Sequence, residues 1–222
     1  MLWGMIAFVM YIFLLLKIVS RKLKWHTTDQ ILRRIHLPVG VSIIAVIGIH
    51  FFKTMDIWST RSVMVVGTGI GAAILLLLMA VGYGFRKKLK GRWMIWHRIG
   101  ALMIAVLLIS HIGCYYIDFF SYQRKISSIN IIGIDASHVK DGTYEGEYDA
   151  GYIYAKVEVT IHQGQISDID LLKHDNERGA PAQAVIGHIM EQQNTGADAI
   201  SGATNSSLVI EKAIENALLK GM

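Results

Sequence analysis

The sequence predicts an all-α four-helix transmembrane bundle followed by a small α+β extracytoplasmic domain. The chain of 222 residues is 53% hydrophobic and has a mean hydropathy of +0.41, which is too apolar for an ordinary soluble domain. Charge divides it in two: residues 1–118 carry 14 Lys and Arg against three acids, whereas residues 119–222 carry 8 against 14. A basic, apolar first half and an acidic, mixed second half indicate two domains.

Four segments are long and apolar enough to span a bilayer: residues 2–19, 37–54, 62–85 and 98–118. The first is interpreted as a retained anchor, because no basic residue precedes its apolar run and no small-residue cleavage site follows it. We therefore expect a membrane domain over 1–118, a linker over 119–140 and an extracytoplasmic domain over 141–222. The single cysteine, Cys114, excludes an intrachain disulfide.

The charges of the connecting loops predict the orientation in the membrane. Lys and Arg cluster after the first and third segments, whereas the short second connection has only Lys53 and Arg61, with Asp56. By the positive-inside rule the first and third loops are cytoplasmic. The N-terminus and everything after residue 118 then lie outside a bacterial-type inner membrane. The pI of 9.3 is explained by these loops, and we expect no nucleic-acid partner.

Histidines recur at one spacing in two of the predicted spans. His36 and His50 are fourteen residues apart, and so are His97 and His111. Fourteen residues of helix rise about 21 Å in nearly four turns, so each pair lies close to one face. The two spans run in the same direction, which predicts that His36 is level with His97, and His50 with His111.

Imidazoles are costly inside lipid, so four of them in matched register predict two stacked metal centres. Two b haems, each between two histidines, satisfy all four, and such ligation suits electron transfer rather than oxygen binding. The alternative is hydrogen-bonded core or interfacial histidines, which is the better explanation for a single one near a span end. Arg33, Arg34 and Arg98 could pair with haem propionates, although basic residues there also act as topology signals.

The first half resembles the ferric-reductase-like transmembrane domain, which is shared with NADPH oxidases and bacterial haem-containing flavocytochromes. The resemblance covers about residues 1–118, rests mostly on the histidine spacing and implies a dihaem domain. One feature departs from that family. The oxidases carry a cytoplasmic FAD and NADPH domain, whereas no glycine-rich dinucleotide fingerprint occurs in any predicted cytoplasmic segment here.

In the second half, apolar and polar residues alternate around Val157, Val159 and Ile161. This pattern predicts a half-buried strand. Residues 163–165, Gln-Gly-Gln, predict a turn, and residues 166–172 a returning strand. Helices are expected over about 181–193 and 205–219. The apolar positions of the second helix are Leu208, Ile210, Ala213, Ile214, Ala217 and Leu218.

Between these two helices lies the sequence DAISGATNSS, residues 198–207. Small residues surround a hydroxyl directly before a helix N-terminus, where unpaired N–H groups and a partial positive charge suit a phosphate. From the residues alone, an ordinary Ser/Thr-rich helix cap is the favoured explanation.

The Ser-Gly-Ala-Thr segment after Asp198, together with the Asp-Gly-Thr-Tyr-Glu-Gly opening at residue 141, resembles the FMN-binding domain of membrane redox complexes. That family includes subunits of sodium-pumping quinone reductases and of the Rnf complex, and the resemblance spans about 141–219. It implies that a flavin transferase outside the membrane attaches FMN to Thr204 through a phosphoester. Around Thr204 it implies further cofactor contacts by Asp198, Ser201, Gly202 and Ala203. Glu177 lies in a segment, 174–179, that stands near the flavin ring in the family but departs here from the usual threonine-containing form.

These features together predict a membrane oxidoreductase. Electrons from quinol or a cytoplasmic NAD(P)H-oxidising partner would pass the inner and outer haems to FMN and then to an extracytoplasmic acceptor, which includes the possibility of a small molecule or ferric chelate. No acid–base pair or nucleophile constellation accompanies them, so no catalytic residue is assigned. The alternative is a haem-free, membrane-anchored flavin subunit of a larger redox complex.

Overall fold

The computed structural model describes residues 2–177 and 179–222. It divides into two compact units, Met1–Tyr115 and Tyr116–Met222. The first unit is mostly helical and contains several apolar helices. The second is a small domain built on a three-stranded sheet.

The chain from residue 2 to residue 127 forms four long α-helices, one short α-helix and a 3₁₀ helix, Met55–Thr60. The α-helices are α1 (Leu2–Lys22), α2 (His26–Thr54), α3 (Val63–Gly84), α4 (Arg86–Leu89) and α5 (Arg92–Ser127). Among the described residues, the four long helices have the length and apolarity needed to cross a membrane. Only 6–11% of the most apolar window of each is buried within the protein. Helices with apolar side chains facing outwards are compatible with a membrane protein.

Three of the four long helices, α1, α2 and α5, extend beyond the apolar segments that the sequence delimits. α2 begins at His26 rather than residue 37, and α5 begins at Arg92 rather than residue 98. The first turns of α2 are polar: Asp29 Oδ2 lies 3.2 Å from Arg33 Nη2, one turn ahead. Pro38 lies inside α2 without ending it. Hydropathy marks only the part that suits lipid, whereas helical hydrogen bonding continues through the polar ends.

A small interior holds the helices of the first unit together. Tyr11 of α1, Ile43 of α2 and Ile104 of α5 are buried in one cluster. The Tyr11 hydroxyl donates a hydrogen bond to the backbone carbonyl of Ala101 in α5. The buried phenol is therefore paired, as a polar group in an apolar interior must be.

Three antiparallel strands form the sheet of the second unit, in the order β1-β2-β3. They are β1 (Gly142–Asp149), β2 (Tyr154–His162) and β3 (Gln165–Asp175). The predicted alternation in β2 is confirmed, since Val157, Val159 and Ile161 are all buried. Gln163 and Gly164 both have positive φ, 53° and 70°, as a two-residue type I′ hairpin turn requires.

Two helices follow the sheet. The segment predicted as a helix over 181–193 begins as a 3₁₀ turn (Ala180–Ala184) and continues as α6 (Val185–Gln192). Pro181 lies in the first turn, where its missing N–H costs nothing. The last helix, α7 (Thr204–Leu218), starts one residue before the predicted position. Its buried face includes Val209, whereas the predicted core residue Leu208 is only half-buried.

The segment expected to be a linker, 119–140, contributes to the core of the second unit. Helix α5 continues through it to Ser127. Tyr122, Ile126 and Ile134 are all buried in the same cluster as the sheet and α7. These residues therefore belong to the core of the second unit.

Close packing of β1 against α7 depends on Gly146. A Cβ atom at this position would lie 2.1 Å from the carbonyl oxygen of Ala213 and 2.5 Å from the amide nitrogen of Ala217. Displacing the backbone atoms of a helix has a large energetic cost. Any side chain at residue 146 must therefore push the helix away from the sheet.

We predict that Gly146→Ala destabilises the second unit by about 3 kcal/mol, the upper end of the usual overpacking cost. The measurement is the midpoint of thermal unfolding of the detergent-solubilised chain. Gly187→Ala in α6 is the matched control, because no atom lies within 4 Å of its added Cβ and alanine favours a helix over glycine by about 1 kcal/mol. Equal midpoints for the two variants would contradict the packing argument.

Candidate functional site

A cavity of about 380 Å³ opens at the N-terminus of α7. This volume lies within the range of small-molecule sites. Its walls include the end of α5, the start of α7 and the loops that precede the Ala180–Ala184 turn and α7. The lining residues are Tyr122, Ile153, Asn176, Glu177, Gly179, Gly202, Ala203, Thr204, Asn205 and Ser206.

Thr204 is the first residue of α7, and its side chain is exposed. The preceding residue, Ala203, has no side chain that could cap the helix. The N–H groups of the first turn have no partner within a helix, and the helix dipole adds partial positive charge at this end. The cavity therefore combines an accessible hydroxyl with a backbone suited to bind an anion.

The loop before Thr204 is held against α7 by one buried hydroxyl. Ser207 Oγ accepts a hydrogen bond from the backbone N–H of Ile200 at 3.0 Å and lies 3.2 Å from the carbonyl oxygen of Ala203, to which it donates. Gly202 has φ of +79°, and nothing lies within 4 Å of the position of a Cβ there. The loop thus turns sharply and leaves open space beside Thr204.

The opposite wall comes from the segment after β3. Gly179 approaches α7 so closely that a Cβ would lie 1.9 Å from Ser206 Oγ. Glu177 has φ of 50°, the left-handed region, and its side chain is exposed on the cavity. The segment proposed from sequence, 174–179, therefore borders the cavity; its Arg178 lies outside the described residues.

Tyr122 and Tyr152 form an aromatic pair next to the first turn of α7. The side-chain amide of Asn205 donates to the hydroxyl of Tyr122 at 2.8 Å. The Tyr122 ring stacks on Tyr152, with centroids 5.0 Å apart and planes 16° from parallel. The hydrogen bond and the stacking contact together fix the position of the Tyr122 ring.

The structure brings only some of the residues suggested by sequence to the cavity. Gly202, Ala203, Thr204 and Glu177 line it together. Asp198 and Ser201 are exposed and lie outside the lining. Sequence reasoning missed Tyr122 and Ile153, because no local motif marks them.

The inner histidines of the first unit lie side by side. The rings of His36 and His97 have centroids 5.9 Å apart and planes 70° from parallel. Their Nδ1 atoms are buried and lack a hydrogen-bond partner among the described residues.

The outer histidines have different surroundings. His111 Nδ1 lies 2.9 Å from the carbonyl oxygen of Val65; since a carbonyl only accepts, Nδ1 carries the proton and Nε2 keeps its lone pair. Metal-binding histidines are commonly oriented in this way. His50 lies against Gly4, where a Cβ would be 3.1 Å from its Cε1 atom.

Among the described residues, no group of three or more His, Cys, Asp or Glu side chains could hold a metal ion. A haem iron takes at most two ligands from the protein, since the macrocycle supplies the others. Two histidines are thus all that such a group would require of the protein, and the described residues form no site built from protein ligands alone.

One buried carboxyl group lies two turns into α7. Glu211 is 2% exposed, and its Oε1 atom lacks a hydrogen-bond partner among the described residues. Burial, with smaller effects from Asp198 and Glu215, raises the pKa of Glu211 to about 7. Glu215, in contrast, is paired with Lys212 Nζ at 2.5 Å and accepts from the N–H of Ile132 at 2.8 Å.

The helical region and the cavity together define a class: a protein with apolar helices compatible with a membrane and a small domain that presents a cofactor-sized site at a helix N-terminus. The family model of the FMN-binding domain matches residues 151–219, which include Thr204 and all of α7. The match indicates a flavin-based redox or electron-transfer role. No curated protein and no solved structure matches the chain.

We predict that Glu211→Gln stabilises the protein at high pH. The pKa of Glu211 is higher in the folded chain than the ordinary 4.5, so the unfolded chain releases its proton first and stability falls as the pH rises from about 4.5 through 7. Above pH 7 the ionised Glu211 lowers the free energy of unfolding by about 3 kcal/mol. The variant should therefore unfold several degrees above wild type at pH 8 and at the same temperature near pH 4. Glu191→Gln, an exposed change on α6, serves as the control. A gain that is independent of pH would contradict the assignment.

Proposed function

We propose that this protein is a membrane oxidoreductase that transfers electrons across a bilayer, with FMN joined covalently to Thr204 and two b haems held by the histidine pairs. The acceptor lies outside the cytoplasm. One observation carries the proposal: the exposed hydroxyl of Thr204 lies on a cavity at the start of α7, inside the segment that matches the FMN-binding domain.

The residues around Thr204 are suited to hold a phosphoester. The first-turn N–H groups of α7 bind and orient the phosphate, because they point out of the helix and carry its positive partial charge. Ser207 keeps the loop at Ile200 and Ala203 in place. Gly202, Ala203 and Gly179 leave room near the hydroxyl because they have little or no side chain.

The four histidines are suited to two iron sites. His36 and His97 would hold the inner iron, and His50 and His111 the outer one. The bond from His111 Nδ1–H to the Val65 carbonyl orients the ring and leaves Nε2 for the metal. When bound, haem iron supplies one-electron exchange and the flavin supplies one- or two-electron exchange; the chain supplies binding, orientation and a dry environment.

The charge pattern of the loops supports the proposed orientation. The basic loops lie in the cytoplasm, which puts Thr204 on the outer side, where a flavin transferase acts. The electron donor is quinol or a cytoplasmic NAD(P)H-oxidising protein. The basic loops already have a role in topology and identify neither donor.

We predict that Thr204→Val abolishes flavin that resists denaturation and leaves the haem content unchanged. Valine keeps the shape of threonine but removes the hydroxyl that a phosphoester requires. The measurement is in-gel flavin fluorescence after denaturing electrophoresis, with haem quantified in the same preparation. Thr160→Val on β2 removes a hydroxyl outside the cavity and should leave the flavin in place. Flavin that persists in Thr204→Val would disprove attachment at this residue.

A second prediction concerns the outer histidine pair. A Cβ at Gly69 would lie 2.9 Å from His111 Cε1, so Gly69→Ala should displace the ring and lower the haem content from two towards one per chain, as His111→Ala should. Gly71→Ala on the same helix is the matched control, since its Cβ would meet only Leu107 at 3.8 Å. Reduced-minus-oxidised spectra give the readout. Absence of a haem α band in wild type would instead favour the haem-free flavin subunit.

A further inference from the structure

We propose that Tyr122, at the end of α5, forms one wall of the flavin site and contacts the ring system of the bound flavin. The inference rests on the proposed function, because it takes the cavity beside Thr204 as the place of the flavin. Tyr122 precedes both the segment that matches the FMN-binding domain, 151–219, and the domain delimited from sequence, 141–222. The helix before the domain therefore completes its cofactor site.

The position of the Tyr122 ring is the first argument. It lines the same cavity as Thr204 and is 8% exposed. Its hydroxyl accepts from Asn205, the residue directly after Thr204, at 2.8 Å. A group joined covalently to Thr204 is therefore attached at the residue next to Asn205, whose side-chain amide holds the Tyr122 hydroxyl.

The rigidity of the ring is the second argument. Tyr122 stacks on Tyr152 with centroids 5.0 Å apart, and Tyr152 is 5% exposed. A ring held at its hydroxyl and along one face has lost its rotational freedom before any ligand binds. Such a preordered surface binds a flat aromatic ligand without a further entropic cost.

The chemistry of the cavity is the third argument. Tyr122 and Ile153 give apolar surface, whereas Asn176 and Glu177 present amide and carboxylate groups on the same cavity. A flavin ring has an apolar dimethylbenzene end and a polar pyrimidine end. The apolar residues match the dimethylbenzene end, and the polar residues match the pyrimidine end. Tyr122 is the aromatic residue of the apolar wall.

The test uses the full-length, detergent-solubilised chain with flavin attached in the cell. Tyr122→Leu removes the aromatic wall, and we expect the flavin fluorescence per attached flavin to rise at least twofold and its anisotropy to fall. Tyr122→Trp keeps a flat ring and places a stronger electron-donating quencher beside the flavin, so fluorescence should drop at least twofold. Tyr148→Leu and Tyr148→Trp are the matched controls, since Tyr148 packs on the same core but does not line the cavity.

Each outcome has one meaning. Unchanged fluorescence and anisotropy in Tyr122→Leu, or changes equal to those of the Tyr148 controls, would overturn the contact. If Tyr122→Leu fails to fold, as judged by its thermal transition, Tyr122→Trp decides: unchanged fluorescence overturns the proposal. Wild-type protein without denaturation-resistant flavin would instead refute the proposed function, so the two failures are distinguishable.

Discussion

The burial of one face of α7 against the sheet is the constraint on which the C-terminal site depends. Gly146 lets the helix backbone approach β1 at a distance that no side chain would permit. Ala213 and Ala217 meet the strand there with minimal bulk and no exposed surface. Because the helix is fixed along its length, its first turn is fixed too, and the N–H groups beside Thr204 have a defined direction. The chemistry of the cavity thus follows from packing at Ala213 and Ala217, nine and thirteen residues after Thr204.

The first unit relies on a different constraint, the cost of polar groups in an apolar environment. Tyr11 meets this cost by pairing with a carbonyl of α5, and His111 by pairing with a carbonyl of α3. The inner rings, His36 and His97, face each other with unpaired buried nitrogens. Such nitrogens are costly in an apolar environment unless something binds them.

Features set by local sequence were the ones that could be predicted. The β2–β3 hairpin follows from alternation and the Gln163-Gly164 turn, and α7 follows from its apolar period. Thr204 was singled out by the resemblance of the Ser-Gly-Ala-Thr segment to the FMN-binding domain, since the residues alone favoured an ordinary helix cap. The position of Tyr122 could not be predicted, since it depends on α5 continuing past the apolar segment and on a contact with Asn205, 83 residues later. The start of α2 at His26 was missed because hydropathy reports the lipid-facing part of a helix and not its ends.

The open position of Thr204 has a consequence for the order of biogenesis. The residue is exposed at a helix start whose backbone is already locked by the core and by the Ser207 hydroxyl. An enzyme that attached FMN here, as proposed above, would meet its target in the native domain and would have no local unfolding to drive. Attachment could then follow folding, because the site is already formed in the folded chain.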